Sequence, residues 1–211
     1  MIALAAMVIA VLPARTSAQH LGVQGGLNRA GLGGDAPLNT QYSGATGFTA
    51  GLVAEFAVAR DVFLSFQPMY ARRGTGIAFA VKGQDQPRDS LDVTLTYASL
   101  PVLAKVQAAH GRTFVTGGVD VGVLLDATLS GRGADEDIKS VFKDVDVAAV
   151  FGFGVVFPLG APRLTLEARY SQSLVNLSAG GTGPSGVALP DRFRTSGFQL
   201  MAGLLIRLGG R

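Results

Sequence analysis

The sequence predicts an all-β fold, an eight-stranded antiparallel transmembrane up-and-down β-barrel, and three observations predict it. Apolar residues alternate with small or polar residues along most of the chain, which is the period of a β-strand. Hydrophobic residues make up 48% of the chain and charged residues 16%, with a mean hydropathy of +0.35. Beyond the N-terminus no apolar run is long enough for a spanning helix. Because lipid satisfies no backbone hydrogen bonds, such a chain is expected to close into a barrel.

The N-terminus carries a short apolar run at residues 2–12, followed by small residues at 16–18. This order resembles the apolar core and cleavage site of a secretory signal, although no lysine or arginine precedes the run. The run is too short for a membrane-anchoring helix. We expect residues 1–18 to be a cleaved signal peptide and residues 19–211 to form the barrel domain.

The first three strands are predicted because apolar residues recur at every second position. In the second strand this alternation ends at Val58, and in the third it runs from Leu64 to Tyr70. The first strand alternates from Leu21 onward. A tight turn at residues 59–61 separates the second and third strands, which indicates a hairpin.

The fourth and fifth strands form the next predicted hairpin, joined by a short turn at residues 108–112. Apolar residues recur at every second position from Ala98 to Val106 in the fourth strand. In the fifth strand valines hold most of one face between Val115 and Val123, while threonine, glycine and aspartate fill the other.

The sixth and seventh strands form a hairpin at residues 144–174, broken at 158–162 by prolines and a glycine. One face of this hairpin carries no charge, whereas the other mixes small residues with carboxylates and an arginine. The eighth strand alternates from Phe198 to Leu208. In chain order the eight predicted strands cover residues 20–28, 47–58, 62–72, 92–107, 113–126, 144–157, 163–174 and 193–208.

The connections alternate strictly between long and short. With antiparallel strands, this order places every long loop at one end and both termini with the short turns at the other. Bacterial outer-membrane barrels of the Gram-negative type have short periplasmic turns and longer extracellular loops. The pattern therefore predicts an outer-membrane location. The predicted long loops are residues 29–45, 73–90, 127–143 and 176–192.

Alternation alone does not say which face lies outside, because a soluble lipocalin-type barrel also has eight strands with its apolar face inward. The polar face here consists mostly of glycine, threonine, serine and alanine rather than the lysine and glutamate of a solvated surface. Small residues suit the narrow lumen of an eight-stranded barrel. The apolar face is uncharged, as lipid requires. We therefore expect the apolar face to contact lipid.

Five segments also carry a resemblance to a known family, and they are FLSFQPMYARRG (63–74), TYASLPVLAKV (96–106), TFVTGGVDVGVLL (113–125), VFGFGVVFPLG (150–160) and LTLEARYSQSLVNL (164–177). Their order resembles bacterial small outer-membrane β-barrel domains of the family that includes PorT-like proteins, over about residues 19–208. Ser99 stands where an acidic residue is common in that family, and the chain does not end on an aromatic residue. The resemblance implies fold and location but no single shared activity.

Charged residues on the predicted lumen face form the candidate site. Ionised groups in so narrow an interior must pair, because an unpaired buried charge is costly. One interpretation is a salt-bridged plug that fills the barrel, and the other is an ion path or gate. The candidate residues are Glu55, Lys105, Asp120, Asp144, Asp146, Glu167, Arg169 and Arg207.

Other chemistry has little support in the sequence. The chain has no cysteine, which excludes disulfides and thiolate sites. The two histidines, His20 and His110, fall at the short-turn end, away from the long loops where a surface enzyme would need its base. The acidic run 135–137 fits a solvated loop better than a divalent-cation site. We therefore expect no enzymatic activity, no cofactor and no metal.

The predicted partners are the lipid of the outer membrane and an extracellular ligand or envelope protein bound by the long loops. The formal charge of +3 gives no reason to expect nucleic acid, and we expect a monomer. The leading hypothesis is a non-enzymatic envelope protein with a structural or loop-mediated binding role. The alternatives are a narrow passive pore, similar to a porin, and a component of a secretion or surface machine.

Overall fold

The computed structural model describes residues 20–34, 40–79, 89–131, 134–178 and 193–208, so the predicted signal peptide lies outside the described residues. Strands make up most of these ranges. Among the described residues, no helix is long and apolar enough to cross a membrane. The strands are β1 (His20–Gly34), β2 (Thr40–Ala59), β3 (Val62–Phe66), β4 (Met69–Phe79), β5 (Asp89–Ala108), β6 (Thr113–Gly131), β7 (Ala134–Asp137), β8 (Val145–Pro158), β9 (Pro162–Ser173) and β10 (Phe193–Arg207).

The sheet closes on itself because β1 pairs antiparallel with both β2 and β10. The seam between β1 and β10 runs from the pair His20–Arg207 to the pair Gly34–Phe193. Ten strands form the sheet, and the ring itself has eight members, with β3 and β4 sharing one place and β7 added outside the ring. The predicted eight-stranded antiparallel barrel is therefore confirmed.

The third predicted strand is divided into β3 and β4 at Gln67 and Pro68. Proline has no backbone N–H to donate to a ladder, so a strand commonly breaks or bulges where one occurs. Pairing nevertheless continues across the break, because Leu52 N donates to Pro68 O at 3.0 Å and Gln67 N donates to Pro101 O at 3.0 Å. The two strands therefore act as one member of the ring.

Several predicted loop boundaries are wrong because the strands extend further than their polarity suggested. β1 continues to Gly34 and β2 begins at Thr40, so much of the predicted loop 29–45 is strand. Likewise, β4 continues to Phe79 and β5 begins at Asp89. Polar and glycine-rich residues remain in a strand here because neighbouring strands pair with their backbone.

The outer face of the ring is apolar. On β8 the inward residues Asp146, Ala148, Val150 and Val156 are buried, whereas Phe151 and Phe153 are 64% and 68% exposed. Aromatic pairs also lie on this face, with Phe48 and Tyr70 centroids 5.8 Å apart and Tyr170 and Phe198 centroids 5.1 Å apart. Such aromatic residues commonly form girdles at the edges of a membrane barrel.

The two ends of the barrel differ. One end, the short-turn end, holds the turns that follow β2, β5 and β8 together with His20 and Arg207. The opposite end, the long-loop end, holds the extensions of β2, β4, β5 and β6 and the added strand β7. The lumen between these two ends contains the candidate site.

Candidate functional site in the barrel lumen

The basal cluster, formed by His20, Glu55 and Lys105, lies near the short-turn end. Lys105 Nζ is 2.6 Å from Glu55 Oε1, and His20 Nδ1 is 3.6 Å from Glu55 Oε2. The Lys105 ammonium also lies 4.1 Å from the centroid of the Phe114 ring. All three members are buried, so each charge of the ion pair is compensated inside the barrel.

The middle cluster is formed by Thr116, Glu167 and Arg169. Arg169 Nη2 donates to Glu167 Oε2 at 2.7 Å, and Thr116 Oγ1 donates to Glu167 Oε1 at 2.7 Å. Thr116 and Glu167 reach each other across β8 at Gly152, where an added Cβ would lie 2.7 Å from Thr116 Oγ1. A small residue on the lumen face therefore leaves room for a contact between strands that are not neighbours.

The upper cluster is formed by Arg73, Asp120 and Asp146. Arg73 Nη2 lies 3.0 Å from Asp120 Oδ2, and Arg73 Nη1 lies 3.0 Å from Asp146 Oδ2. β6 and β8 pair with each other, whereas β5 lies between β4 and β6, so this guanidinium joins β4 to strands that are not its neighbours. Both carboxylates are therefore neutralised by one side chain from across the lumen.

Hydroxyl groups complete the upper cluster. Ser99 Oγ donates to Asp120 Oδ1, and Ser173 Oγ donates to Asp146 Oδ1 at 2.6 Å. The Arg73 guanidinium carbon lies 5.1 Å from the centroid of the buried Tyr97 ring. Ser99 is thus a hydrogen-bond donor to a carboxylate on the next strand.

The structure brings together three pairs of the candidate residues. Glu55 meets Lys105, and Glu167 meets Arg169, whereas Asp120 and Asp146 meet through Arg73. Of the other two candidates, Asp144 does not lie on the lumen face as predicted, and Arg207 keeps the predicted inward parity but is exposed at the end of its strand.

Asp144 and Arg207 are both exposed. Asp144 lies in a bend before β8 begins, so the alternation of that strand does not yet orient it, and its carbonyl accepts from Leu124 N at 2.7 Å. Arg207 has the inward parity of β10 but is the last residue of that strand, where the ring opens to solvent.

Sequence reasoning missed Arg73 and placed it at the start of a long loop. The signal was present, because Arg73 continues the period-two series of the buried Gln67, Met69 and Ala71. The predicted third strand ends at Arg72, whereas β4 continues through Arg73 to Phe79. His20, which the sequence analysis places only at the short-turn end, joins the charge network through Glu55.

An apolar cap covers the lumen face at the long-loop end, where sequence reasoning expected a charged, solvated loop at 127–143. That expectation is wrong, since β6 continues to Gly131, β7 pairs with it, and a short helical turn at Lys139–Val141 follows. Leu177 is fully buried there. The cap consists of Val93, Leu95, Tyr97, Leu124, Ala127, Leu129, Ile138, Val141, Phe142 and Leu177.

A bulge on β6 places apolar residues in this cap. The register with β5 shifts between Thr96 and Tyr97, where Asp126 and Leu124 are the successive partners. This extra residue turns Asp126 outward, although uninterrupted alternation from Asp120 would place it on the lumen face. It also turns Ala127 and Leu129 inward, where both are buried.

The acidic run at 135–137 lies in β7, and Asp137 Oδ1 accepts from Lys139 N at 2.9 Å. In the described ranges, no three histidine, aspartate or glutamate side chains are grouped as a metal site requires. A cavity of about 10 Å³ is lined by residues that include Asn28, Arg73 and Thr195. That volume holds roughly one water molecule.

The model of a family described as "Outer membrane protein beta-barrel domain" matches residues 14–179. A comparison with curated proteins gives no match.

Solved outer-membrane proteins are also similar in structure. Neisserial surface protein A is 15% identical, with 89% of this chain and 97% of that chain covered and a TM-score of 0.46. Ail of Yersinia pestis, solved with the heparin analogue sucrose octasulfate, is 15% identical, with 90% and 100% covered and a TM-score of 0.47. OprG of Pseudomonas aeruginosa is 11% identical, with 92% and 98% covered and a TM-score of 0.46.

Proposed function

The chain belongs to the outer membrane protein β-barrel domain family, and from this premise we propose that it is a closed, non-enzymatic barrel of the cell envelope. In this proposal the barrel does not conduct ions. Its role is to anchor a binding surface at the long-loop end, which faces outward in barrels of this kind. The partner is an extracellular ligand or another envelope protein.

The observation that carries the proposal is the position of Arg73 between Asp120 and Asp146. An ion moving through the lumen would have to pass a guanidinium held by two carboxylates, each of which also accepts a hydroxyl hydrogen bond. Opening this point would leave charges unpaired in a buried position, which costs several kcal/mol. The apolar cap above it adds a second obstruction.

The cap also supports a binding role for this end of the barrel. Ile138 N donates to Ala127 O at 2.9 Å, and Lys143 N donates to Leu177 O at 3.0 Å. Residues 134–143 are therefore held against the barrel by both packing and backbone hydrogen bonds. Because this segment is already ordered by packing, an extracellular surface built on it loses less conformational entropy on binding a partner.

The positions of the histidines support a non-enzymatic role. His20 is buried beside Glu55, and His110 is exposed in the turn between β5 and β6. Both lie at the short-turn end, far from an outward-facing substrate. A general base is required within hydrogen-bond reach of its substrate proton, directly or through one water.

A narrow passive pore is the second candidate. It is favoured by Arg169, whose Nε and Nη1 have no hydrogen-bond partner among the described residues although the side chain is buried. Buried donors of this kind commonly bind ordered water, and a file of water molecules is the minimum that a pore requires.

Single-channel recording in a planar bilayer separates the two candidates. For the wild-type barrel with insertion confirmed, we expect no conductance steps. The conductance of two variants is compared in the same recording. The Arg73→Ser/Asp120→Ser/Asp146→Ser variant removes the upper cluster without leaving a charge, and the control variant Arg60→Ser changes only an exposed turn. Steady steps from the wild-type protein would reject the closed barrel and support the pore.

The binding role is tested by replacing residues 134–142 with a short glycine-serine turn in cells that depend on the protein. We expect the barrel to remain in the outer membrane while the phenotype of a deletion strain appears. A shortened protein that restores the wild-type phenotype would contradict a binding role for this part of the surface.

A further inference from the structure

The wall of the barrel contains a bulge at the outward end of β2. Pairing with β4 shifts between Ala45, which faces Gly74, and Thr49, which faces Ala71. Residues 46–48 of β2 therefore lie opposite residues 72–73 of β4, while their pairing with β1 continues without interruption. Bulges of this kind redirect side chains and are often found beside functional sites.

Side chains close the bulge from inside the barrel. Asn28 Nδ2 donates to Arg72 O at 2.9 Å, and Thr49 Oγ1 donates to Tyr70 O at 3.2 Å. Gly47 lies between Asn28 and the Arg72 carbonyl, and a Cβ at this position would collide with that carbonyl oxygen. On the lumen side, these contacts therefore close the bulge. Its altered backbone geometry affects the outer surface of the barrel.

A groove with a volume of about 420 Å³ lies at this irregularity. Its apolar part is formed by the exposed side chains of Leu27 and Phe48. Its polar part includes Thr46, Arg72 and Thr94. The groove therefore joins an apolar surface to hydroxyl groups and a guanidinium.

Arg72 is the charge that determines what the groove can bind. Its side chain is exposed and forms no hydrogen bond or ion pair with a described residue. It follows the lipid-facing Tyr70 on β4, whose ring is 5.8 Å from Phe48. Because aromatic residues are enriched at the edge of the hydrocarbon layer, we expect Arg72 to lie at the level of lipid head groups.

We propose that this groove binds one phosphorylated lipid of the outer leaflet, with its phosphate on Arg72 and an acyl chain against Leu27 and Phe48. The planar guanidinium matches the geometry of a phosphate group, and the hydroxyls of Thr46 and Thr94 supply further donors. The long-loop position of the groove places it in the outer leaflet.

Asp92 also lines the groove and restricts the form of the ligand. A bare anion would meet this carboxylate as well as the guanidinium. A phosphate that carries a divalent counter-ion satisfies both groups, because carboxylate and phosphate oxygens are ligands for such cations.

The experiment measures lipid retention by the intact barrel in nanodiscs with native mass spectrometry. The probe is a diphosphorylated lipid A in a phosphatidylcholine background with magnesium present. We expect one retained copy on the wild-type protein and retention weaker by about tenfold for Arg72→Gln. Arg60→Gln, a change at an exposed arginine of the opposite end, should retain the lipid as the wild type does.

Three outcomes would overturn the proposal. They are equal retention by Arg72→Gln and the wild type, equal loss in both arginine variants, and displacement of the lipid by millimolar inorganic phosphate alone. In a chelating buffer, Asp92→Asn should retain the lipid more strongly than the wild type, because it removes the repulsion of the phosphate. Weaker retention by that variant would contradict the assigned position of the phosphate.

Discussion

Arg169 shows how the lumen depends on single side chains. It is 2% exposed, and Glu167 is its ion-pair partner among the described residues. The inward position of this arginine follows from strand parity alone. Its partner could also be anticipated, because residues two apart on a strand share a face. The contact of Glu167 with Thr116 could not be anticipated from the sequence. It depends on the order of the strands in the ring and on the space left by the missing side chain of Gly152.

Arg169→Glu is predicted to destabilise the barrel. The substitution leaves Glu167 without its cation and puts a second carboxylate beside it, which costs about 3–5 kcal/mol for a buried pair. The melting temperature in detergent measures this effect. Arg207→Glu, at the exposed end of β10, serves as the control. An unchanged melting temperature for Arg169→Glu would count against a paired lumen.

Gly47→Ala is predicted to impair folding more than Gly31→Ala. A Cβ at Gly47 collides with the backbone carbonyl of Arg72, which cannot move away as a flexible side chain would. At Gly31 the nearest atom to such a Cβ is 3.9 Å away. Folding yield into lipid vesicles at fixed urea concentration compares the two. Equal yields would show that the bulge opens freely.

At the scale of elements, the inward and outward faces of the strands followed from period two, but their ends and bulges did not. β5 and β6 run past the predicted boundaries because each pairs with the other there. A bulge depends on the register of two strands, so the sequence of one strand does not reveal it. The outward position of Asp126 is the result. The apolar cap was missed for the same reason, because Ala127 and Leu129 read as loop residues.

Leu177→Ala is predicted to loosen the cap. Leu177 is fully buried, and truncating a buried leucine costs about 2–5 kcal/mol. Amide hydrogen exchange should therefore accelerate at Ile138 and Phe142, whose N–H groups donate to Ala127 O and Lys139 O. Leu174→Ala, at a residue that is 52% exposed, is the control. Unchanged exchange in Leu177→Ala would mean that the cap does not hold residues 138–142.

For the whole molecule, the apolar outer face and its edges determine how the barrel sits in the outer membrane. Leu200 is 68% exposed in the middle of β10, whereas Leu208 lies just beyond the end of that strand. Composition and alternation were enough to predict this arrangement. The fold class followed from the sequence because a chain must satisfy its backbone hydrogen bonds internally in lipid, and a closed ring does this.

Leu200→Arg and Leu208→Arg are predicted to differ in cost. An arginine near the bilayer midplane lowers folding stability by about 2–4 kcal/mol, and one near the interface by about 0–1 kcal/mol. Urea titration of folding into vesicles measures both variants. Equal costs would place Leu200 away from the middle of the bilayer.

The seam between β1 and β10 has a consequence for how the barrel is made. The first and last strands of the ring pair along their whole length, so the ladder that completes the ring joins residues far apart in the chain. Loop closure over such a separation is slow, and until it occurs the two end strands expose unpaired edges. During assembly, the unpaired edges of β1 and β10 can therefore form backbone hydrogen bonds with strands of other chains. Productive insertion requires that β10 reach β1 before a neighbouring molecule does.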